Sequence, residues 1–141
     1  METNTFLKIA AKELPSYPIY EDDSVYAFLD IEPYSRGHTL IVPKKYCPDI
    51  DGLDDRTAAA VLMAAKKIVA ALRGLYMYDG VVLHQVNGEH AQEVRHFHMH
   101  VYGTSSENAP HFYKALPNNR AEKEVLFSTT AQEISDFIKH H

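Results

Sequence analysis

The segment "RHFHMHVYG", residues 95–103, sets His96, His98 and His100 at every second position, with Phe97, Met99 and Val101 between them. The flanking residues favour a β-strand, in which alternate side chains share a face. The spacing therefore predicts a row of three imidazoles on one side and an apolar row on the other. Burying three histidines without partners would cost about 1–3 kcal/mol for each unsatisfied group, so a merely structural row is a poor explanation. Neutral imidazole is a common metal ligand, and it is also a nucleophile and proton carrier near pH 7. Two imidazoles at i and i+2 can share one ion, but the outer two of the row start about 13 Å apart at about 3.3 Å per residue. Spacing alone leaves a metal site, completed by His38 or His84, level with acid–base or nucleophilic chemistry. Taken singly, His84, His90 and His111 read as structural histidines.

The elements that must position this row follow from local patterns. Phe6, Leu7, Ile9 and Ala10 have helical spacing, and Pro15 ends that helix. "YPIYE" and "SVYAFLDI" read as strands around the turn "DDS", and "HTLIVPK" as a third strand entered through "SRG". "DDRTAAAVLMAAKKIVAALRGLY" is the strongest helical signal, capped by Asp54 or Asp55. Its apolar stripe runs through Ala58, Val61, Leu62, Ala65, Ile68, Val69 and Leu72, with Gly74 near its end. "GVVLHQV" and "VRHFHMHVY" are strands four and five, joined by the short loop "NGEHAQE". A last helix is expected after residue 120, where Thr130 and Glu133 have capping-box spacing. Such short turns require antiparallel pairing. The expected fold class is α+β: a mainly antiparallel five-stranded sheet, a long central helix, short N- and C-terminal helices, and the helices on one face.

At 141 residues, with no internal repeat or linker, the chain reads as one domain. The net charge of −5 argues against a nucleic acid polymer as partner, though a local site can still hold a small anion. No apolar run is long enough to span a membrane, and the first residues lack a signal-peptide pattern. A single cysteine, Cys47, fits a reducing cytoplasm. His140 and His141 read as remnants of a tag and are left out of the site.

"HFHMHVY" fits the pattern His-φ-His-φ-His-φ-φ, with φ apolar, at all seven places. Around it stand "FLKIAAKELPSYPIYEDDSVYAFLDIEP", "GHTLIVPKKY" and the Gln-x-Val-x-His approach "QEVRH". With these blocks in this order, residues 4–102 resemble the histidine triad (HIT) family, Hint branch, while 103–141 form a divergent tail. The resemblance implies the HIT-like fold and a nucleotide hydrolase acting at an α-phosphate. It makes His98 the nucleophile that forms a covalent nucleotidyl-histidine, with its other nitrogen held by a backbone carbonyl. His96 and His38 support the row, and His100 contacts the phosphate and leaving group. Asn87 and Gln92 are neutral donors, Asp30 holds the ribose hydroxyls, and Ile31, Phe6, Phe28 and Ile9 line the base pocket. The implied substrate is a purine nucleotide, AMP joined to an amine, an acyl group or a second nucleotide. Histidine at the third triad place favours the hydrolase over the nucleotidyltransferase branch. A homodimer is expected, with long helices and fifth strands facing across a two-fold axis.

Three departures from the family pattern shape these expectations. Of the zinc ligands of many bacterial relatives, a Cys-x-x-Cys, a histidine after "PK" and a triad histidine, the first three are replaced by Asn4, Leu7 and Tyr46, so no structural zinc and no required cofactor are expected. The loop "NGEHAQEV" is one residue short, and "VYGTSS" stands where many relatives carry Pro-Arg. The alternatives are a metal-dependent hydrolase using His96 or His98 with His38, and a non-catalytic purine nucleotide-binding protein.

Overall fold

The computed structural model describes residues 5–106 and 116–141; Asn4 and His111 lie outside them. The chain forms helix α1 (Thr5–Ala10), strands β1 (Pro18–Glu21), β2 (Val25–Leu29) and β3 (Thr39–Pro43), and a 3-10 turn at Ile50–Gly52. Helix α2 (Asp55–Tyr76), strands β4 (Gly80–Gln85) and β5 (Met99–Thr104), and helix α3 (Arg120–His140) complete it. The five strands make one antiparallel sheet in the order β1-β2-β3-β5-β4. No helix among the described residues is long and apolar enough to cross a membrane.

Strands β2 and β3 are buried at every position, so both sheet faces must be covered. One face, with Val25, Ala27, Leu29 and Ile41, packs against Val61, Ala65, Ile68 and Leu72 of α2 and Phe127, Ala131 and Ile134 of α3. The other face, with Tyr26, Phe28, Leu40 and Val42, is covered by Ala10, Phe6 and Ile9 of α1. The expectation of helices on one face is thus corrected: α1 takes the opposite face because the apolar residues of β2 and β3 point both ways. Asp54 is the N-cap of α2, accepting from the Thr57 N–H, and Met77 ends the helix in the left-handed region. Leu62, placed in the buried stripe by its spacing, is exposed.

The C-terminal helix is a long one of 21 residues and starts earlier than the Thr130–Glu133 pair suggests. Asn119 caps it by accepting from the Glu122 N–H. Thr130 and Glu133 sit within the helix and instead receive Arg36, Nε on Thr130 Oγ1 at 3.1 Å and Nη2 on Glu133 Oε1 at 3.1 Å. Strand β5 begins at Met99 rather than near Val94. Its pairing with β3 runs Thr39↔Val101, Leu40↔His100 and Ile41↔Met99. Continued, that register would set Val42 opposite His98 and then Pro43 opposite Phe97, but the ladder ends at Ile41↔Met99; Pro43 has no N–H to donate, and the Phe97 N–H goes to the Cys47 carbonyl.

Candidate active site

His38 hangs from a turn tied down on several sides. Ser35 Oγ donates to the Gly103 carbonyl at 2.7 Å, and Tyr78 donates its hydroxyl to the Arg36 carbonyl at 2.7 Å. Gly37 has φ +88, and a Cβ there would lie 2.5 Å from Leu72 Cδ2, so both conformation and space require glycine. The turn delivers His38, which is 1% exposed, to the sheet face opposite α2 and α3.

The hydrogen bonds set the tautomer of each imidazole. The Tyr34 N–H donates to His38 Nδ1 at 3.0 Å, so the His38 proton resides on Nε2. His38 Nε2–H then donates to His100 Nδ1 at 2.9 Å, which leaves the His100 proton on Nε2. His98 Nδ1–H donates to the His96 carbonyl at 2.7 Å, leaving Nε2 with a free lone pair. His96 accepts from the Cys47 N–H on Nδ1 and donates from Nε2 to the Pro43 carbonyl at 2.9 Å. His96 thus ties this segment to Pro43 beyond the end of the β3–β5 ladder, and supports the row from behind. Only His100 of the three lies within β5; His96 and His98 belong to the segment leading into it.

All four rings are held neutral. Burial, followed by His100 and His84, pushes His38 down to about 3. Burial, with His98 and His84 beside it, pushes His100 down to about 4. Burial also lowers His96 and His98 from the ordinary imidazole value. The approaches of Asp30 Oδ2 to His38 Nε2 at 3.6 Å and to His100 Nδ1 at 3.8 Å are therefore not ion pairs. Asp30 itself is raised by burial, while Oδ1 accepts from the Glu32 N–H at 2.9 Å.

Two cavities meet at Asp30, Glu32, Glu93, His98 and His100. A cavity of about 340 Å³ is walled by Phe6, Ile9, Phe28, Leu40 and Ile31, and the Phe6 and His98 rings meet edge to face with centres 4.9 Å apart. The second, of about 460 Å³, is polar and bordered by Glu32, Tyr34, His38, His84, Gln92 and Glu93, with Val86 and Ala91. Of the residues singled out from the sequence, Asp30, Ile31, Phe6, Phe28, Ile9, His38, His98 and His100 come together here.

Asn87 and Gln92 do not serve as expected. Asn87 borders neither cavity: Oδ1 accepts from the Ile50 N–H at 2.8 Å, and the amide pairs with Gln85, while Val86 takes the place on the wall. Gln92 does border the polar cavity, but its Nε2 donates to the Pro48 and Val94 carbonyls. Its Oε1 accepts from the Gly88 N–H and from Arg95, so the side chain holds the loop and has no donor left. His90 borders neither cavity. His84, read singly as structural, stands opposite His100 in the β4–β5 register with ring centres 5.5 Å apart. Tyr34, stacked on His38 at 5.4 Å, is also a site residue that no motif marked.

The arrangement bears on metals in two places. Around Tyr46, which stands where the bacterial zinc site has its histidine after "PK", the Tyr46 ring stacks on His96, both His96 nitrogens are committed, and Cys47 Sγ donates to the Asp49 carbonyl. Asp30, His38 and His100 place one ligand atom each within 4.8 Å of the others. These spacings suit a tetrahedral ion, but His38 Nε2 carries the proton that Tyr34 forces upon it, so the lone pair an ion needs is missing.

Residues 11–107 match the family model described as HIT domain. The chain is 46% identical over 99 residues to an uncharacterized HIT-like protein of Borreliella burgdorferi, covering 68% of this chain and 71% of that protein. It is 34% identical over 105 residues to the adenosine 5'-monophosphoramidase HNT1 of Saccharomyces cerevisiae, covering 74% of this chain and 64% of that protein. The fold superposes on a Zn-bound histidine triad family protein of Mycobacterium smegmatis with a TM-score of 0.74 and 28% identity, covering 93% and 94% of the two chains. Motif, matched span and sheet agree: this chain belongs to the HIT family.

Proposed function

We propose that this protein is a nucleotide hydrolase that cleaves a nucleoside monophosphate, AMP being the expected one, from an amine, acyl or nucleotide leaving group. The observation that carries the reading is the His98 tautomer, whose Nδ1–H is fixed on the His96 carbonyl while Nε2 stays unprotonated at the junction of the two cavities. In the first step Nε2 attacks the α-phosphorus, and the bond to the leaving group breaks to give a nucleotidyl-histidine. Water then attacks phosphorus, and the electron pair returns to Nε2. His100 offers its Nε2–H to the phosphoryl oxygens, where charge is concentrated in the transition state. The apolar cavity suits a purine base, and Asp30 at its mouth offers acceptor lone pairs to ribose hydroxyls. The phosphoramidase activity named for the yeast relative supports the amine class of leaving group.

No metal and no other cofactor enters this reading: in the Asp30, His38 and His100 cluster, an ion on His38 Nε2 would cost the hydrogen bond from the Tyr34 N–H. A homodimer in the cytoplasm is part of the proposal. Strand β5 lies between β3 and β4 and has no free edge, so the fifth strands cannot pair across the axis. The edge strands are β1 and β4; β4 carries exposed Leu83, and with the exposed Leu62 and Met63 of α2 it offers apolar surface to a second copy. Turnover of adenosine 5'-phosphoramidate by the wild type and by His98→Ala tests the proposal. Loss of turnover in the variant is expected, and turnover that survives the replacement overturns the mechanism.

A further inference from the structure

We infer that His84 is the proton carrier of this site, giving a proton to the departing nitrogen and recovering it from the attacking water. The inference rests on the proposed function and concerns what the triad itself cannot do. An alkylamine leaves phosphorus only if it is protonated as the bond breaks, so the reaction needs an acid that can part with its proton. His100 is not that acid. Its Nδ1 is occupied by the His38 Nε2–H, and its remaining Nε2–H belongs to a neutral ring, which can donate a hydrogen bond but holds no labile proton near neutral pH.

His84 differs from the other histidines in its surroundings. It borders the polar cavity, is exposed, and neither ring nitrogen has a hydrogen-bond partner among the described residues. The β4–β5 register holds it opposite His100 with ring centres 5.5 Å apart, beside the phosphoryl contact and on the polar side of the junction. The base and ribose are assigned to the apolar side, so the leaving group extends toward His84. The remaining titratable groups that border the cavity are His38 and His98, already assigned, with Tyr34 and the carboxyl groups of Asp30, Glu32 and Glu93. Imidazole is the side-chain class among these whose proton exchanges near neutral pH, and a charge on His84 is felt at His38, His98 and His100.

The proton balance closes over two steps. His98 Nε2 bonds to phosphorus, the P–N bond breaks, and its electron pair takes the proton of the His84 imidazolium, releasing a neutral amine. Neutral His84 then takes a proton from the water that attacks the nucleotidyl-histidine, and the P–Nε2 bond breaks with its pair returning to His98. No further reactant is needed.

The test compares two substrates in the full-length wild type and His84→Ala: an N-alkyl phosphoramidate of AMP, whose amine must be protonated, and the p-nitrophenyl ester of AMP, whose phenolate leaves unaided. The expected result is a loss of kcat/KM for the alkylamine substrate about 100-fold larger than the loss for the ester, within the range general acids supply. Added imidazole should restore the alkylamine rate of the variant. Equal losses on both substrates, or a variant rate that imidazole leaves unchanged, overturn the assignment. A wild type that adds no nucleotide to His98 from either substrate overturns the proposed function itself.

Discussion

Lowering the pH from 7 to 5 should weaken the fold through histidines that are held neutral. The unfolded chain takes protons on imidazole near 6.5. His38 in the folded chain refuses its proton until about 3, and His100 until about 4. Between those values the unfolded state binds more protons, so stability is complete above about 6.5 and is lost as the pH falls toward the folded values. For one such group the loss between pH 7 and 5 is about 2 kcal/mol, and for the two together about 3–4 kcal/mol, the lower figure allowing for the partial exposure of His100. Urea unfolding at pH 7, 6 and 5 measures this directly. His38→Asn keeps an acceptor for the Tyr34 N–H but removes the imidazole, so its stability should fall by about 2 kcal/mol less over the same interval. A wild type equally stable at both pH values, or a variant with an unchanged slope, would refute the neutral-histidine account.

Two further outcomes test the frame around the site. Gly37→Ala should cost about 2–4 kcal/mol in denaturant unfolding, because the new Cβ meets Leu72 Cδ2 at 2.5 Å on a backbone with φ +88. Asp30→Asn should raise KM for a ribonucleotide substrate about tenfold while a 2',3'-dideoxy substrate is little affected; equal effects on both would show that Asp30 does not read the ribose.

Much of the architecture was legible because local chemistry and tertiary contacts agree. The alternation around the triad survives even where the strand does not, with Phe97 and Val101 in the α2 core and His98 and His100 on the opposite face. Other features depend on partners distant in the chain. Thr130 and Glu133 have the spacing of a cap, but Arg36, almost a hundred residues earlier, claims them in mid-helix. Asn87 and Gln92 are of the right type for phosphate donors, yet the short loop uses both amides to hold itself against Ile50, Pro48 and Val94. His84 looked ordinary because its significance lies in facing His100 across the β4–β5 register, a partner outside its own segment of the chain. The side on which α1 packs follows from the two-sided burial of β2 and β3, which alternation alone does not reveal.

The central claim is a transient bond between His98 Nε2 and phosphorus. Rapid mixing of the wild type with an adenosine phosphoramidate, a quench at neutral pH, and peptide mass mapping report it most directly. The account predicts one nucleotidyl group on His98 that appears with the first turnover and decays as AMP is released. AMP accumulating while His98 carries no added mass would contradict it.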